Sequence, residues 1–415
     1  MTSRGLIPKI TKQHSHILKV EFHSFGGYSM KLQATWVTPA GEQVGNALGY
    51  NTHRHFLKKH SEDHLDFVDD SDIFIHIVPA DIYHHVPGKF NVLFTMWEAS
   101  EIPTKYVKAL NEADLIVVPS RFCKELFKKY TNKPIEVCFE GVEAESYPYY
   151  ERIEPLYGQK FRLLWVGAPN PRKGYPSILQ VAKMVEQTPD LELYIKTTVG
   201  KFDRQGYVKN LWEKRREIRA KVKDGSIPEH MSVANMLKRA HVRHKKIASD
   251  GGISTHGKHE NVIFDTRKIP FEDLISLYNS AHLFLLPTMG EGWGLTLCEA
   301  MATGCPCIAT AVTGCADFFD EKVGYPLKYD MYEAYLDTYD TRALLFAPDT
   351  LDLVQNIIGV YHNYQKALVL GRRASERIHE KFTWKKSGAR FAEIIRKHYS
   401  DKRGLIISEK GLVSV

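Results

Sequence analysis

A chain of 415 residues is long enough for two or three domains with sizeable cores. Its 43% hydrophobic and 25% charged residues are ordinary for a globular protein, and no run approaches the roughly 20 apolar residues that cross a bilayer. The net charge of +7 is local: residues 201–260 hold 15 Lys plus Arg against 7 Asp plus Glu, so the rest of the chain is near neutral. The opening MTSRGLIPKITKQHSH has no apolar signal core, which predicts a cytoplasmic protein. Six cysteines stand at Cys123, Cys138, Cys298, Cys305, Cys307 and Cys315, with no C-x-x-C pair. A core of this size needs no disulfides, and the cysteines read as small hydrophobes rather than metal ligands.

Ile17–Phe22 and Met30–Trp36 alternate like strands and are joined by a glycine-containing turn, as expected of a hairpin. Gly45 and Gly49 precede a predicted helix through Lys59. Strand, glycine loop and helix in succession open a nucleotide-binding half, although a plain strand-to-helix turn has the same pattern. Asp72–Pro79 and Phe90–Trp97 are apolar strands, and Asp70-Ser71-Asp72 reads as a turn. Glu98 follows at the carboxyl end of a strand, where open α/β sheets bind ligands. Its charge equally suits the start of the next helix, with Ser100 as the cap and Pro103 in the first turn. Ala113–Ser120 and Pro134–Gly141 complete this half, and Tyr147–Gly158, which has no period, reads as a linker.

Phe161–Val166 starts the second half as a strand. The loop Gly167–Gly174 carries Arg172 and Lys173, and Ile178, Val181, Ala182 and Val185 then recur at helical spacing. Two cations at the mouth of such a turn suit a diphosphate. After the strand Leu191–Val199, residues 201–260 read as an insert with two basic helices, Val208–Lys223 and Met231–Lys246, ending at Gly251–Gly257. Such a surface suits a polyanion, either a nucleic-acid backbone or acidic headgroups, or else is a solvated helical pair. Asn261–Asp265 is a strand and Pro270–Ala281 a helix.

The stretch that follows carries the most chemistry. His282–Pro287 is an apolar strand, Gly290, Gly292 and Gly294 punctuate a loop, and Leu295, Cys298, Met301 and Ala302 recur at helical spacing. Gly304 and Pro306 stop that helix, and Pro306–Thr310 resumes a strand. Glu291 and Glu299 bracket the turn. The helix start near Gly294 offers unpaired N–H groups to a phosphate, and each carboxylate can accept from a pair of vicinal hydroxyls. A hydroxyl-rich group, a diphosphate and a diol in a row describe a nucleotide sugar. Beyond it, Gly324–Ala347 is rich in tyrosine and aspartate without a clear period. Leu351–His379 and Trp384–His398 read as helices, and Gly404–Val415 as a short strand or a tail.

The run Glu291-Gly-Trp-Gly-Leu-Thr-Leu-Cys-Glu299-Ala-Met-Ala-Thr-Gly304-Cys-Pro306 resembles the glutamate–seven–glutamate signature of glycosyltransferase family 4, retaining enzymes of the GT-B fold. Ala113–Ser120, Glu140-Gly-Val-Glu143, Arg172-Lys173 and Val312–Asp317 resemble further family segments, so the likeness spans Trp97 to His398. It implies an α/β protein with two Rossmann-like domains facing an interdomain cleft. Residues 1–158 would form the acceptor side and 159–384 the nucleotide-sugar domain with the basic insert 201–260, while 385–415 would cross back to the first domain. By this resemblance Glu299 would bind the ribose and Glu291 the donor sugar. Gly292, Gly294, Leu295 and Thr296 would hold the diphosphate together with Arg172 and Lys173. The Gly49 loop would approach the donor phosphates, and Glu98 would contact an acceptor hydroxyl. The chain departs from many members at Ala168, where an arginine is usual, and at Trp97-Glu98, near which a histidine is usual. The implied reaction moves a sugar from a nucleotide diphosphate sugar to a saccharide, a lipid-linked glycan or a hydroxylated nucleic-acid base, with no metal or cofactor. A phosphorylase or sugar-nucleotide epimerase of the same fold, or a degenerate transferase acting as a polyanion-binding adaptor, are the alternatives.

Overall fold

The computed structural model of the chain describes residues 31–37, 48–197, 223–225, 252–336, 341–408 and 411–414. The predicted strand Ile17–Phe22, Gly45 and nearly all of both basic helices lie outside these residues.

Two parallel sheets form the frame. The first has six strands, β1 (Leu32–Val37), β2 (Leu65–Phe67), β3 (Ile73–Ile77), β4 (Phe90–Phe94), β5 (Leu115–Val118) and β6 (Ile135–Val137), in the order β2-β1-β3-β4-β5-β6. The strands β4 and β5, apolar but for Asn91, sit inside it, buried on both faces, as parallel strands covered by helices must be. Helix α1 (Leu48–Ser61) and the late helix described below cover one face, with Leu57, Trp384, Phe391 and Ile395 in the core between. Helices α2 (Thr104–Glu112) and α3 (Arg121–Phe127) cover the other.

The second sheet holds β7 (Phe161–Val166), β8 (Leu191–Lys196), β9 (Ile253–His256), β10 (Val262–Asp265), β11 (Leu283–Leu286), β12 (Cys307–Ala309) and β13 (Tyr325–Pro326), ordered β13-β12-β11-β7-β8-β10-β9. Only the edge strand β9 runs antiparallel. It occupies residues assigned from the sequence to the insert, so the sheet resumes earlier than composition suggested. Helices α4 (Tyr175–Val185), α5 (Phe271–Ser280), α6 (Leu295–Ala302), α7 (Thr350–His362) and α8 (Tyr364–Lys381) pack on its faces. The single helix expected over Leu351–His379 is therefore two, parted at Asn363, whose φ of −137° and ψ of 59° leave the helical region.

Three features join the domains. The chain leaves the first domain near Val142 and returns at Thr383, and these two passes form a parallel bridge with Val142 N–H donating to the Phe382 carbonyl at 3.1 Å. Helix α9 (Trp384–Arg403) then packs along α1. The unassigned stretch after Gly324 is a hairpin of β14 (Tyr329–Leu336) and β15 (Thr341–Pro348), which buries Ala334, Ala343 and Leu345 against the first domain. It also settles Ser100: this residue caps no helix, because α2 begins at Thr104 after Pro103, and its hydroxyl instead accepts from Leu344 N–H at 2.8 Å. Residues 405–408 and 411–414 form a terminal strand pair, β16 and β17. All six cysteines are buried and free.

Candidate active site

The carboxyl ends of β7 and β11 meet the carboxyl end of β4 across the domain boundary, the usual ligand position in open α/β sheets. After β7 the chain enters Asn170-Pro171-Arg172-Lys173, a 3-10 turn whose Asn170 side chain accepts from Lys173 N–H at 3.0 Å. This fixes the two cations. The Lys173 ammonium donates to both Glu291 oxygens at 2.8 and 2.6 Å, and Arg172 Nη1 stands 3.5 Å from the same carboxylate. Thr288 donates its hydroxyl to Glu291 at 3.1 Å, and Glu291 N–H donates to the Thr313 hydroxyl at 2.8 Å. Thr313 holds a φ of +52°, a conformation a branched side chain resists, which marks this loop as constrained by its neighbours.

Burial opposes ionisation of Glu291, whose side chain is only 6% exposed, but the charges of Lys173 and Arg172 outweigh it and hold the carboxyl below the usual range. Glu291 is therefore a fixed anion that orients two cations.

The glycine loop is pressed against the first domain. A side chain at Gly290 would meet the Glu98 carbonyl oxygen at 2.2 Å, so only hydrogen fits, and Gly292 lies against Met96. Arg172 Nη2 reaches Glu98 Oε1 at 3.3 Å, which brings this predicted residue into the same cluster from the opposite domain. Gly294, at φ +110°, then turns the chain into α6. No side chain caps that helix, and the N–H groups of Leu295 and Thr296 open its first turn, adjacent to the cations.

Glu299 is on the half-buried face of α6 with Leu295 and Thr296. It accepts a hydrogen bond from the Tyr278 hydroxyl at 2.7 Å. Burial raises its pKa to about 7, the hydroxyls of Tyr278 and Tyr147 offsetting only part of the effect. Gly49 lies in the first turn of α1 rather than before it. On the same helix, His53 Nδ1 stands 2.8 Å from Glu140 Oε1, both side chains buried.

Arg172, Lys173, Glu291 and Glu98 thus converge in one cluster, with Gly292, Gly294, Leu295 and Thr296 beside it and Glu299 further along α6. Sequence reasoning missed Thr288, three residues before Glu291, and Thr313 and Tyr278, which reach the two glutamates from other segments. The Asn170-Pro171 start of the cation turn did carry a cap signal.

A family model described as "Glycosyl transferases group 1" matches residues 239–363, which include both Glu291 and Glu299. No curated protein sequence matches the chain. Among solved structures, Anabaena HepE in complex with UDP and glucose aligns over 88% of this chain and 100% of its own, with a TM-score of 0.57 and 12% identity. A glycosyltransferase from Rickettsia africae aligns over 89% and 99%, with a TM-score of 0.54 and 12% identity. Sucrose-phosphate synthase from Thermosynechococcus elongatus aligns over 75% and 69%, with a TM-score of 0.50 and 17% identity. The fold is GT-B, two Rossmann-like domains with parallel sheets. Together with the family match it supports a group 1 glycosyltransferase.

Proposed function

We propose that this chain is a retaining glycosyltransferase, of family 4 by its glutamate–seven–glutamate motif, that moves a sugar from a nucleotide diphosphate sugar to a hydroxyl acceptor. The observation that carries the reading is the convergence of Arg172 and Lys173 on Glu291 beside the uncapped start of α6. Breaking the anomeric C–O bond leaves a diphosphate whose growing charge needs prearranged donors. Arg172, Lys173 and the N–H groups of Gly294, Leu295 and Thr296 supply them. The four charged side chains of the cluster sum to zero, so an arriving diphosphate competes with Glu291 and Glu98 for the two cations. Glu299 accepts from the ribose diol, Glu291 faces the donor sugar, and Glu98, on the opposite domain, faces the acceptor hydroxyl. In this reading Gly49, in the first turn of α1, approaches the donor phosphates from the first domain. The acceptor attacks from the face the diphosphate leaves, so no protein nucleophile is assigned. The cations do the electrostatic work, and the reading calls for no metal or cofactor. Domain closure excludes water and protects the donor from hydrolysis.

Among the described residues no helix is long and apolar enough to cross a membrane. The reading includes a cytoplasmic location, with residues 201–260 offering a basic surface to an anionic acceptor or support. Thermal-shift titration with UDP-, GDP- and ADP-sugars should single out one donor by its stabilisation. Transfer from that donor should then fall about tenfold or more in Glu299→Ala; full activity in this variant would remove Glu299 from the site.

A further inference from the structure

Glu98 lies on a loop without regular secondary structure, so its direction is set by what holds the residues around it. On one side, Trp97 is fastened inside the first domain. Its N–H donates to the Cys123 sulfur at 3.5 Å, the Cys123 thiol donates to its carbonyl at 3.3 Å, and its indole N–H donates to the Glu101 carbonyl at 2.6 Å. On the other side, Ser100 is fastened to the second domain. Its N–H donates to the Leu344 carbonyl at 3.2 Å, and its hydroxyl accepts from Leu344 N–H at 2.8 Å. Leu344 stands in the middle of β15, so the loop that carries Glu98 is anchored in both domains at once.

The same strand leads to the cations. Phe346 N–H donates to the Met289 carbonyl at 2.9 Å, and Met289 N–H donates to the Arg172 carbonyl at 2.7 Å, which the Thr288 hydroxyl also reaches at 3.0 Å. Arg172 Nη2 then returns to Glu98 Oε1 at 3.3 Å. Glu98, Ser100, β15, Met289 and Arg172 thus form a closed circuit across the domain boundary. Packing reinforces it: Trp97, Ala99, Met289, Ala343 and Leu345 are buried in one apolar cluster, although the last three belong to the second domain. A partly exposed ion pair contributes little unless its partners are held in place, because two side chains must give up freedom to meet. The circuit supplies that hold.

We propose that the β14–β15 hairpin is a strap and Ser100 a positioning residue for Glu98: the strand that fixes Met289 and Arg172 also fixes the loop of Glu98, and so holds the Glu98 carboxylate against the Arg172 guanidinium. The strap thereby keeps Glu98 in place as a competitor for a diphosphate arriving at Arg172, for as long as the two domains are tied at this point. The competition, though not the strap, rests on the reading of Arg172 as a diphosphate group.

Two measurements on the full chain test this. The Nε–Hε NMR signal of Arg172 in arginine-labelled protein, assigned by its loss in Arg172→Lys, reads the ion pair, and calorimetric titration with UDP, GDP and ADP reads the cations. Glu98→Gln should shift the Arg172 signal, and it should tighten the best-bound nucleotide about two- to fivefold by removing the competing charge. Ser100→Ala should reproduce a large part of the shift, and Ser100→Thr, which keeps the hydroxyl, should leave the signal in place. Added to Glu98→Gln, Ser100→Ala should move it no further, since the pair it positions is already gone. An Arg172 signal that ignores Ser100→Ala overturns the proposal. So does an equal response to Ser100→Ala with Glu98 present and replaced, which is what a loosened hairpin alone would give. Should the signal respond as expected while nucleotide affinity ignores both Glu98→Gln and Arg172→Lys, the strap stands and the diphosphate reading of Arg172 is what fails.

Discussion

Glu291 and Glu299 stand either side of one glycine turn, and their surroundings drive them in opposite directions. Both are partly or wholly withdrawn from water, which by itself favours the neutral acid. Glu291 has two cations against it and ends below the ordinary carboxylate range. Glu299 has only hydroxyls and ends near 7. The difference separates two tasks within one motif. A permanent anion can hold arginine and lysine side chains in place, whereas a carboxyl poised near neutrality accepts from hydroxyls more strongly when it is charged.

The largest effect expected from breaking this contrast is at Glu291. Glu291→Gln leaves Lys173 and Arg172 without their anion, and transfer should drop about 100-fold or more, read as kcat/KM with the selected donor. Lys173→Met attacks the same pair from the other side and should bring a comparable loss with little change in fold, checked by circular dichroism. Glu299→Gln should be milder, weakening nucleotide binding about tenfold at pH 8 and flattening its pH dependence, as calorimetry at pH 6, 7 and 8 will show.

The two carboxylates should also leave opposite marks on stability. The folded pKa of Glu291 is depressed, so its contribution is present above the unfolded value near 4.5 and is lost as pH falls through the lower folded value. The folded pKa of Glu299 is raised, so the native state holds the extra proton between about 4.5 and 7, and stability declines as pH rises across that window. In urea melts, Glu299→Gln should therefore gain on the native protein at pH 8 relative to pH 5, and an equal offset at both would contradict the raised value. The smallest change concerns the hairpin. Ser100→Ala removes the acceptor for Leu344 N–H and should cost about 1 kcal/mol in the same melts.

Much of this site was legible because its signals are local. The apolar strand, the glycines and the two glutamates of residues 281–310 lie in one continuous run, and the cation loop precedes a helix with plain 3.6 periodicity. What escaped depends on contacts between distant segments. Tyr278 looks like any core tyrosine of an amphipathic helix until the fold sets its hydroxyl against Glu299. Ser100 has the sequence surroundings of a helix cap, but a strand almost 250 residues later claims its oxygen. The hairpin after Gly324 alternates poorly because one stretch of it faces the first domain and the rest faces solvent, with Ala334 fully buried and Met331 68% exposed. Asn363 divides two helices that share an apolar face, so periodicity alone ran through it.

The return of α9 to the first domain also bears on how the molecule is made. Trp384, Phe391, Ile394 and Ile395 fill the same core as β3, β4 and α1, although more than 280 residues of chain separate them from β4. A ribosome releases the first sheet long before it releases the helix that covers it. Until α9 emerges, Ile73, Val92 and Phe94 share a face without that cover, while the second domain already has every residue of its own sheet in hand. The second domain can therefore mature before this face of the first sheet is covered, and the delay leaves apolar residues of the first domain exposed during synthesis.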